Sequence, residues 1–412
     1  MMTSPRGSRL HIAVFGRRNA GKSSLLNALT GQQVSIVSAV PGTTTDPVEK
    51  SMELLPLGPV QLIDTAGLDD SGELGRMRVE RSLLVLERAD IAVLAATAEG
   101  WGDDEEHFAA GCQERKIPVI IAFTQADVKK PAAQLVANLQ ASGLPVVITS
   151  STARSGLGDL RQALIRVCPE DFLNPPAIVS DLVPPGGLVV LVVPIDKEAP
   201  KGRLILPQVQ TLRDLLDGDQ MALVVKEREL REALLRLNRK PDLVVTDSQA
   251  FLKVAADTPD EVPLTSFSIL FARHKGDLDT FAAGAATIDR LRPNDRVLIA
   301  ESCSHHPIGE DIGRVKIPRW LTQYVGGTLA TTVYAGHDFP ADLANYRLAI
   351  HCGACTTNRR EVLSRIVACR EAGVPITNYG MAIARSLGIM ERALAPFPSA
   401  LAAWKAAQIS LP

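Results

Sequence analysis

His11-Ile12-Ala13-Val14-Phe15, then Gly16-Arg17-Arg18-Asn19-Ala20-Gly21-Lys22-Ser23, then Ser24-Leu25-Leu26-Asn27-Ala28-Leu29 decide the fold of this chain. The first block reads as a short buried strand and the last as the opening of a helix. Between them lies a loop with glycine at each end of its turn and a closing Gly-Lys-Ser. Strand, loop and helix in that order are what a phosphate-binding loop requires. Gly16 and Gly21 let backbone N–H groups close around a β-phosphate, and Lys22 reaches the β/γ oxygens. The Ser23 hydroxyl ligates magnesium, with Ser24 beside it at the helix start, whose partial positive charge adds to the site. The expected fold class is α/β.

The segments downstream keep the order of a GTPase. Pro41-Gly42-Thr43-Thr44-Thr45-Asp46 reads as the first switch segment, with Thr44 as a second magnesium hydroxyl. The apolar run 60–63 leads into Asp64-Thr65-Ala66-Gly67, where Asp64 holds magnesium through water and the Gly67 amide senses the γ-phosphate. Lys22, Thr44 and Gly67 are thus the residues set to act on the γ-phosphate. Asp127, at the end of Phe123-Thr124-Gln125-Ala126-Asp127, is placed to accept the two nitrogen donors of guanine. Ser150 and Ser151 follow Thr149 at a further strand end and bring a backbone amide to the guanine oxygen.

Residues 10 to about 168 resemble the translation-factor-related GTPases of the TrmE/Era group. The resemblance implies GTP and Mg2+ as cofactors. Two positions depart from that pattern. The group reads its base with Asn-Lys-x-Asp, whereas Thr124 and Gln125 stand first and second here, which predicts weaker guanine binding. Leu68 stands where Ras-like enzymes place a water-orienting glutamine, so intrinsic hydrolysis is expected to be slow. Asn19 matches a potassium-binding asparagine of the group, which implies activation by K+.

A chain of 412 residues holds two to four domains at roughly 100–200 residues each. Its net charge of −2 gives no global reason to bind nucleic acid or anionic membrane. The longest apolar run, 188–193, is far too short to span a bilayer. The polar, basic start at 1–10 lacks the apolar core of a secretory signal, so the expected compartment is cytoplasmic. Six cysteines in a chain of this size form no disulfide scaffold, and clustered thiols in a reducing compartment point to metal or redox chemistry. Cys112, Cys168 and Cys369 stand alone in sequence and are expected to be small buried apolar residues.

Past the proline-rich punctuation at 174–187, strand-like and helix-like stretches alternate through a unit with no nucleophile, metal set or phosphate loop. It is expected to be structural or oligomerising. Helix-like 277–292 and strand 297–300 then lead to Cys303-Ser304-His305, and strand 346–350 leads to His351-Cys352-Gly353-Ala354-Cys355, which is expected to open a helix. Three thiols and two imidazoles at strand ends suit a soft metal. By spacing alone, tetrahedral zinc and a three-thiolate 4Fe–4S cluster with an open fourth position are equally compatible.

The whole arrangement resembles the FeFe-hydrogenase maturation GTPases, the HydF family. Further likeness lies in Ala199-Pro200-Lys201-Gly202-Arg203-Leu204-Ile205-Leu206-Pro207-Gln208, Thr265-Ser266-Phe267-Ser268 and Ala272-Arg273-His274-Lys275-Gly276-Asp277. The resemblance implies a GTP-binding domain at 1–172, a small α/β dimerisation domain at 173–263 and an α/β cluster-binding domain with a mostly parallel sheet at 264–412. It implies a scaffold and carrier that assembles a diiron precursor with radical-SAM maturases and delivers it to apo-hydrogenase. In that reading Cys303, Cys352 and Cys355 ligate the 4Fe–4S cluster, with His305 and His351 beside it as exchangeable fourth ligand or as contacts to the diiron unit. A homodimer is implied, with neither membrane nor nucleic acid as partner. The alternative is a GTPase of tRNA modification or ribosome assembly with a structural zinc module. An aromatic content of 4% argues against an RNA surface.

Overall fold

The computed structural model describes residues 5–31, 47–69, 72–194, 204–302 and 311–410. Thr44, Cys303 and His305 lie outside the described residues. The chain forms two compact units, Met1–Pro175 and Pro176–Pro412.

In the first unit β1 (Leu10–Phe15), β2 (Val48–Leu54), β3 (Gly58–Asp64), β4 (Ile91–Ala96), β5 (Val119–Phe123) and β6 (Val146–Ile148) form one sheet. Its order is β2-β3-β1-β4-β5-β6, with only β2 antiparallel to its neighbour. β1, β4 and β5 are buried along their whole length, as continuous apolar strands are when helices cover both faces. Because the strands run parallel, the loops after β1, β3, β5 and β6 all leave the sheet at one edge.

The second unit carries two parallel sheets. β7 (Leu188–Val192), β8 (Met221–Val225), β9 (Leu243–Thr246) and β10 (Leu264–Ser266) pair in the order β10-β9-β7-β8. β11 (Arg296–Glu301), β12 (Ala330–Ala335), β13 (Leu348–His351) and β14 (Ile376–Asn378) pair in the order β12-β11-β13-β14. One apolar cluster runs through both sheets, joining Val189, Leu191 and Val245 of the first to Leu298, Ile299 and Ile350 of the second. The α/β class expected from sequence is the one observed.

Several local expectations change. β10, placed by sequence at the head of the last domain, is hydrogen-bonded to β9 as the edge of the preceding sheet. The helix expected over 277–292 is Leu278–Ala285 followed by a 3-10 turn, Ala286–Arg290. Its Gly284 lies so close to β14 that a Cβ there would sit 2.0 Å from the Ile376 carbonyl oxygen. The Cys-x-x-Cys does not open a helix. The helix Arg359–Glu371 starts later, where the Asn358 side chain accepts the Glu361 amide at 3.3 Å. Cys112 and Cys369 are fully buried, but Cys168 is only half-buried because it ends the helix Leu157–Val167. No helix among the described residues is long and apolar enough to cross a membrane.

Candidate nucleotide site and thiol turn

The loop after β1 is shaped by backbone that only glycine tolerates at its first position. Gly16 has φ +140, and a Cβ there would lie 2.1 Å from the Ala95 carbonyl oxygen. Gly21, at φ +79, starts the helix Lys22–Thr30. Lys22 is buried and folds back, its Nζ donating to the carbonyls of Gly16 (2.9 Å) and Arg17 (2.8 Å). The Ser23 hydroxyl donates to Asp64 at 2.5 Å, so the two residues expected at magnesium already adjoin. Ser24 is half-buried one residue further on.

Arg17 and Arg18, adjacent in the loop, are held differently. Arg17 is paired with Glu105 at 2.8 Å and Asp104 at 3.1 Å at the start of the helix Asp103–Glu114. The Arg18 amide instead donates to Asp69 at 2.6 Å, and its stem covers Gly67. Leu68 packs against the apolar cluster that includes Phe15 and Ile63 and offers no polar atom to a water.

In the loop after β5, Thr124 and Gln125 stand where the group has asparagine and lysine. Thr124 Oγ1 donates to the Ala20 carbonyl at 2.7 Å, and Gln125 Nε2 donates to the Asn19 carbonyl at 2.9 Å. Both therefore tie the base loop to the phosphate loop. Gln125 and Asn19 each take a positive φ, 54° and 57°, to make this contact. Asp127 receives the Ser150 hydroxyl at 2.5 Å, and Ser150 Oγ in turn accepts the Ala153 amide. Ser151 lies half-buried in the same turn.

The thiol turn leaves the second unit where β13 ends. Ala300 of β11 and His351 of β13 are in register, so the two parallel strands end at the same edge of the sheet, β13 leading directly into Cys352. The Cys352 amide donates to the Ala300 carbonyl at 2.9 Å. Its sulfur receives the amides of Ser302 at 3.1 Å and Ala354 at 3.4 Å, the latter presented by a left-handed residue of φ 53°. Burial alone would raise this thiol, but the His351 ring and those amides pull it down to about 7. Burial and the nearby Cys352 push the Cys355 thiol up to about 11, against the opposing charge of Lys275. Lys275 is buried, and its backbone is fixed by Arg359, which donates to the carbonyls of His274 (2.9 Å) and Gly276 (3.0 Å).

Among the described residues no group of three metal-ligating side chains gathers. Two soft sulfurs adjoin there, one already accepting N–H donors, and that donor chemistry fits a thiolate-held metal group. His351 is buried, with Nδ1 on the Cys352 carbonyl and Nε2 on Arg365. Sequence reading missed Arg365, Glu361 and His337, which form a chain behind the turn. The one local signal was Glu361 and Arg365 at i, i+4 spacing on a single helix.

Family models match three stretches of the chain. Residues 11–125 match the 50S ribosome-binding GTPase model, 178–276 the hydrogen maturase F dimerization domain, and 279–396 the hydrogen maturase F tetramerization domain. The stretch expected to bind a cluster is thus matched as a tetramerization domain. Curated relatives include the GTPase Der of Kosmotoga olearia, 31% identical over 42% of this chain and 42% of its own length. The tRNA modification GTPase MnmE of a Cyanothece species is 34% identical over 40% of this chain and 36% of its own. The chain spans about two fifths of the length of these relatives. Among solved structures, the G domain of the T. maritima FeoB iron transporter is 28% identical, covering 39% of this chain and 99% of its own at a TM-score of 0.31. Aquifex aeolicus Era is 22% identical, covering 55% of this chain and 98% of its own at a TM-score of 0.36. A GTPase domain followed by the two oligomerisation domains of one maturase places the chain in the hydrogen maturase F family.

Proposed function

We propose that the chain is a GTP-hydrolysing scaffold and carrier. In this reading it holds a 4Fe–4S cluster on Cys303, Cys352 and Cys355, builds a diiron precursor with radical-SAM maturases, and hands it to apo-hydrogenase. The observation that carries the reading is the register of the parallel strands β11 and β13, which brings Ser302, just past β11, against the sulfur of Cys352, just past β13, at one sheet edge. Support also comes from the Cys352 sulfur, which accepts the Ser302 and Ala354 amides. A bound cluster would supply an iron site open to cargo. The protein's part is to present the sulfurs in a fixed turn and to keep Cys355 beside the buried Lys275.

At the nucleotide end, water attacks the γ-phosphorus and the bond to the β-γ bridging oxygen breaks. Lys22 turns from its own loop carbonyls to the β/γ oxygens, and the Gly67 amide follows the γ-phosphate. Ser23, Thr44 and Asp64 are the residues to hold Mg2+, which neutralises charge on those oxygens. Asn19 is the residue to hold K+, in place of the arginine other GTPases insert. Asp127 and the Ser150–Ser151 turn read the guanine. Hydrolysis then changes an interface rather than a covalent product, so its output is exchange of partners.

Anoxic purification with iron, sulfide and zinc assays tests the carrier reading. The expected result is about four irons per chain, lost in Cys352→Ser with GTP hydrolysis retained. Stoichiometric zinc without iron refutes it. Equal GTP turnover in sodium and potassium buffers refutes the role given to Asn19.

A further inference from the structure

Arg365 lies behind the thiol turn on the helix Arg359–Glu371 and is 3% exposed. Its Nη1 is 3.1 Å from Nε2 of His351. A guanidinium can only donate, so Nε2 turns its lone pair to Arg365. The ring proton therefore sits on Nδ1, which donates to the Cys352 carbonyl at 2.8 Å. His351 is 1% exposed, so both of its nitrogens are engaged away from water. Arg365 is itself fixed from three further sides. Its Nη2 donates to the Gly336 carbonyl at 2.7 Å and to Glu361 at 2.8 Å, and its guanidinium lies 5.3 Å above the Phe339 ring. Glu361 is buried and also meets Nδ1 of the surface residue His337 at 3.0 Å.

We propose that Arg365 is a positioning residue that reserves Nε2 of His351, so that His351 braces the Cys352 turn and does not ligate the group the thiols hold. What the turn holds rests on the proposed function; the engagement of the ring rests on geometry alone. Metal-ligating histidines usually donate their second N–H to a carbonyl or carboxylate. His351 cannot meet that pattern: Nδ1, the nitrogen beside Cys352, carries the ring proton, and Nε2, left with the lone pair, faces a guanidinium. Turning it toward the sulfurs would break the ring's bond to Arg365 and leave the buried Arg365–Glu361 pair one acceptor short. With His351 withheld, the open position of a three-thiolate cluster is filled from outside this turn.

The test uses the full chain, metal-free and labelled with 15N-histidine, in long-range 1H–15N correlation spectra. His351→Gln identifies the His351 signals. The expected spectrum has Nδ1 protonated and Nε2 bare in the wild type, with that pattern reversed or averaged in Arg365→Met. A protonated Nε2 in the wild type overturns the proposal, and so does an unchanged pattern in a folded Arg365→Met. Should Arg365→Met not fold, Arg365→Lys keeps the charge but cannot span the same acceptors, and the wild-type spectrum decides in either case. The labelled chain is then loaded with iron and sulfide without oxygen and studied by pulsed EPR. The expected spectrum carries no 15N coupling that disappears in His351→Gln; such a coupling overturns the proposal. Failure to load iron refutes the cluster reading instead and leaves the NMR result to decide the role of Arg365.

Discussion

Thr124→Val tests whether the base loop depends on hydroxyl and amide bridges rather than on the usual asparagine and lysine. Valine keeps the side-chain shape but cannot donate to the Ala20 carbonyl at 2.7 Å or the Ala96 carbonyl at 3.3 Å. Thr124 is buried, so water cannot replace the missing donor. Loss of one buried neutral hydrogen bond with its acceptor left in place costs about 1–2 kcal/mol. If that cost falls on the nucleotide-competent loop, affinity for GDP drops roughly 5- to 30-fold. Asp127 and its Ser150 partner are untouched, so guanine should remain preferred over xanthine by the same ratio. Titration calorimetry with GDP and xanthosine diphosphate on both proteins measures each quantity. A GDP affinity within twofold of wild type refutes the bridge, and a changed ratio would mean that Thr124 itself helps to read the base.

Acid should weaken the second unit through His274, whose Nδ1 donates to the Pro176 carbonyl. Burial, with the charge of Lys275, lowers its pKa to about 4 from 6.5. The unfolded chain takes up the proton as pH falls below 6.5 while the folded chain resists until near 4, so stability is lost across that window. The loss at pH 5 is about 1–2 kcal/mol for this half-buried group, and urea unfolding of the metal-free protein should show it shrink in His274→Gln. An equal loss in the variant rules His274 out as the source. In the same unit, the edge strand β8 exposes Met221 and Val224, and the neighbouring helix Leu206–Asp217 exposes Val209 and Leu216. Val224→Lys puts a charge on that edge and should shift the chain to a smaller species in analytical ultracentrifugation. An unchanged sedimentation profile places the dimer contact elsewhere.

What the sequence revealed was what local chemistry dictates. The phosphate loop needs glycine where backbone meets backbone at Ala95, and such a need shows in residue identity alone. The Ser23–Asp64 and Ser150–Asp127 pairs follow once the strand order of a GTPase is assumed. What Thr124 and Gln125 bond to was not legible, because motif matching compares residue types. The structure asks only for donors that reach the Ala20 and Asn19 carbonyls, and a hydroxyl and an amide supply them. The chain from His337 through Glu361 and Arg365 to His351 could not be foreseen, because β12 was not recognised as a strand. Its Ala-Thr-Thr-Val-Tyr-Ala lacks a long apolar run and is nowhere fully buried, as befits a sheet edge. Without β12, nothing brought Gly336 and His337 to the end of the sheet that carries the thiols.

The single interior that β7–β10 and β11–β14 share has a mechanical meaning. Two sheets bolted through common side chains such as Val245, Phe271 and Ile350 have no soft joint at which one can tilt without the other. Whatever grips or releases the rim at β8 therefore moves the thiol turn as part of the same block, and heating should melt both sheets in one cooperative step.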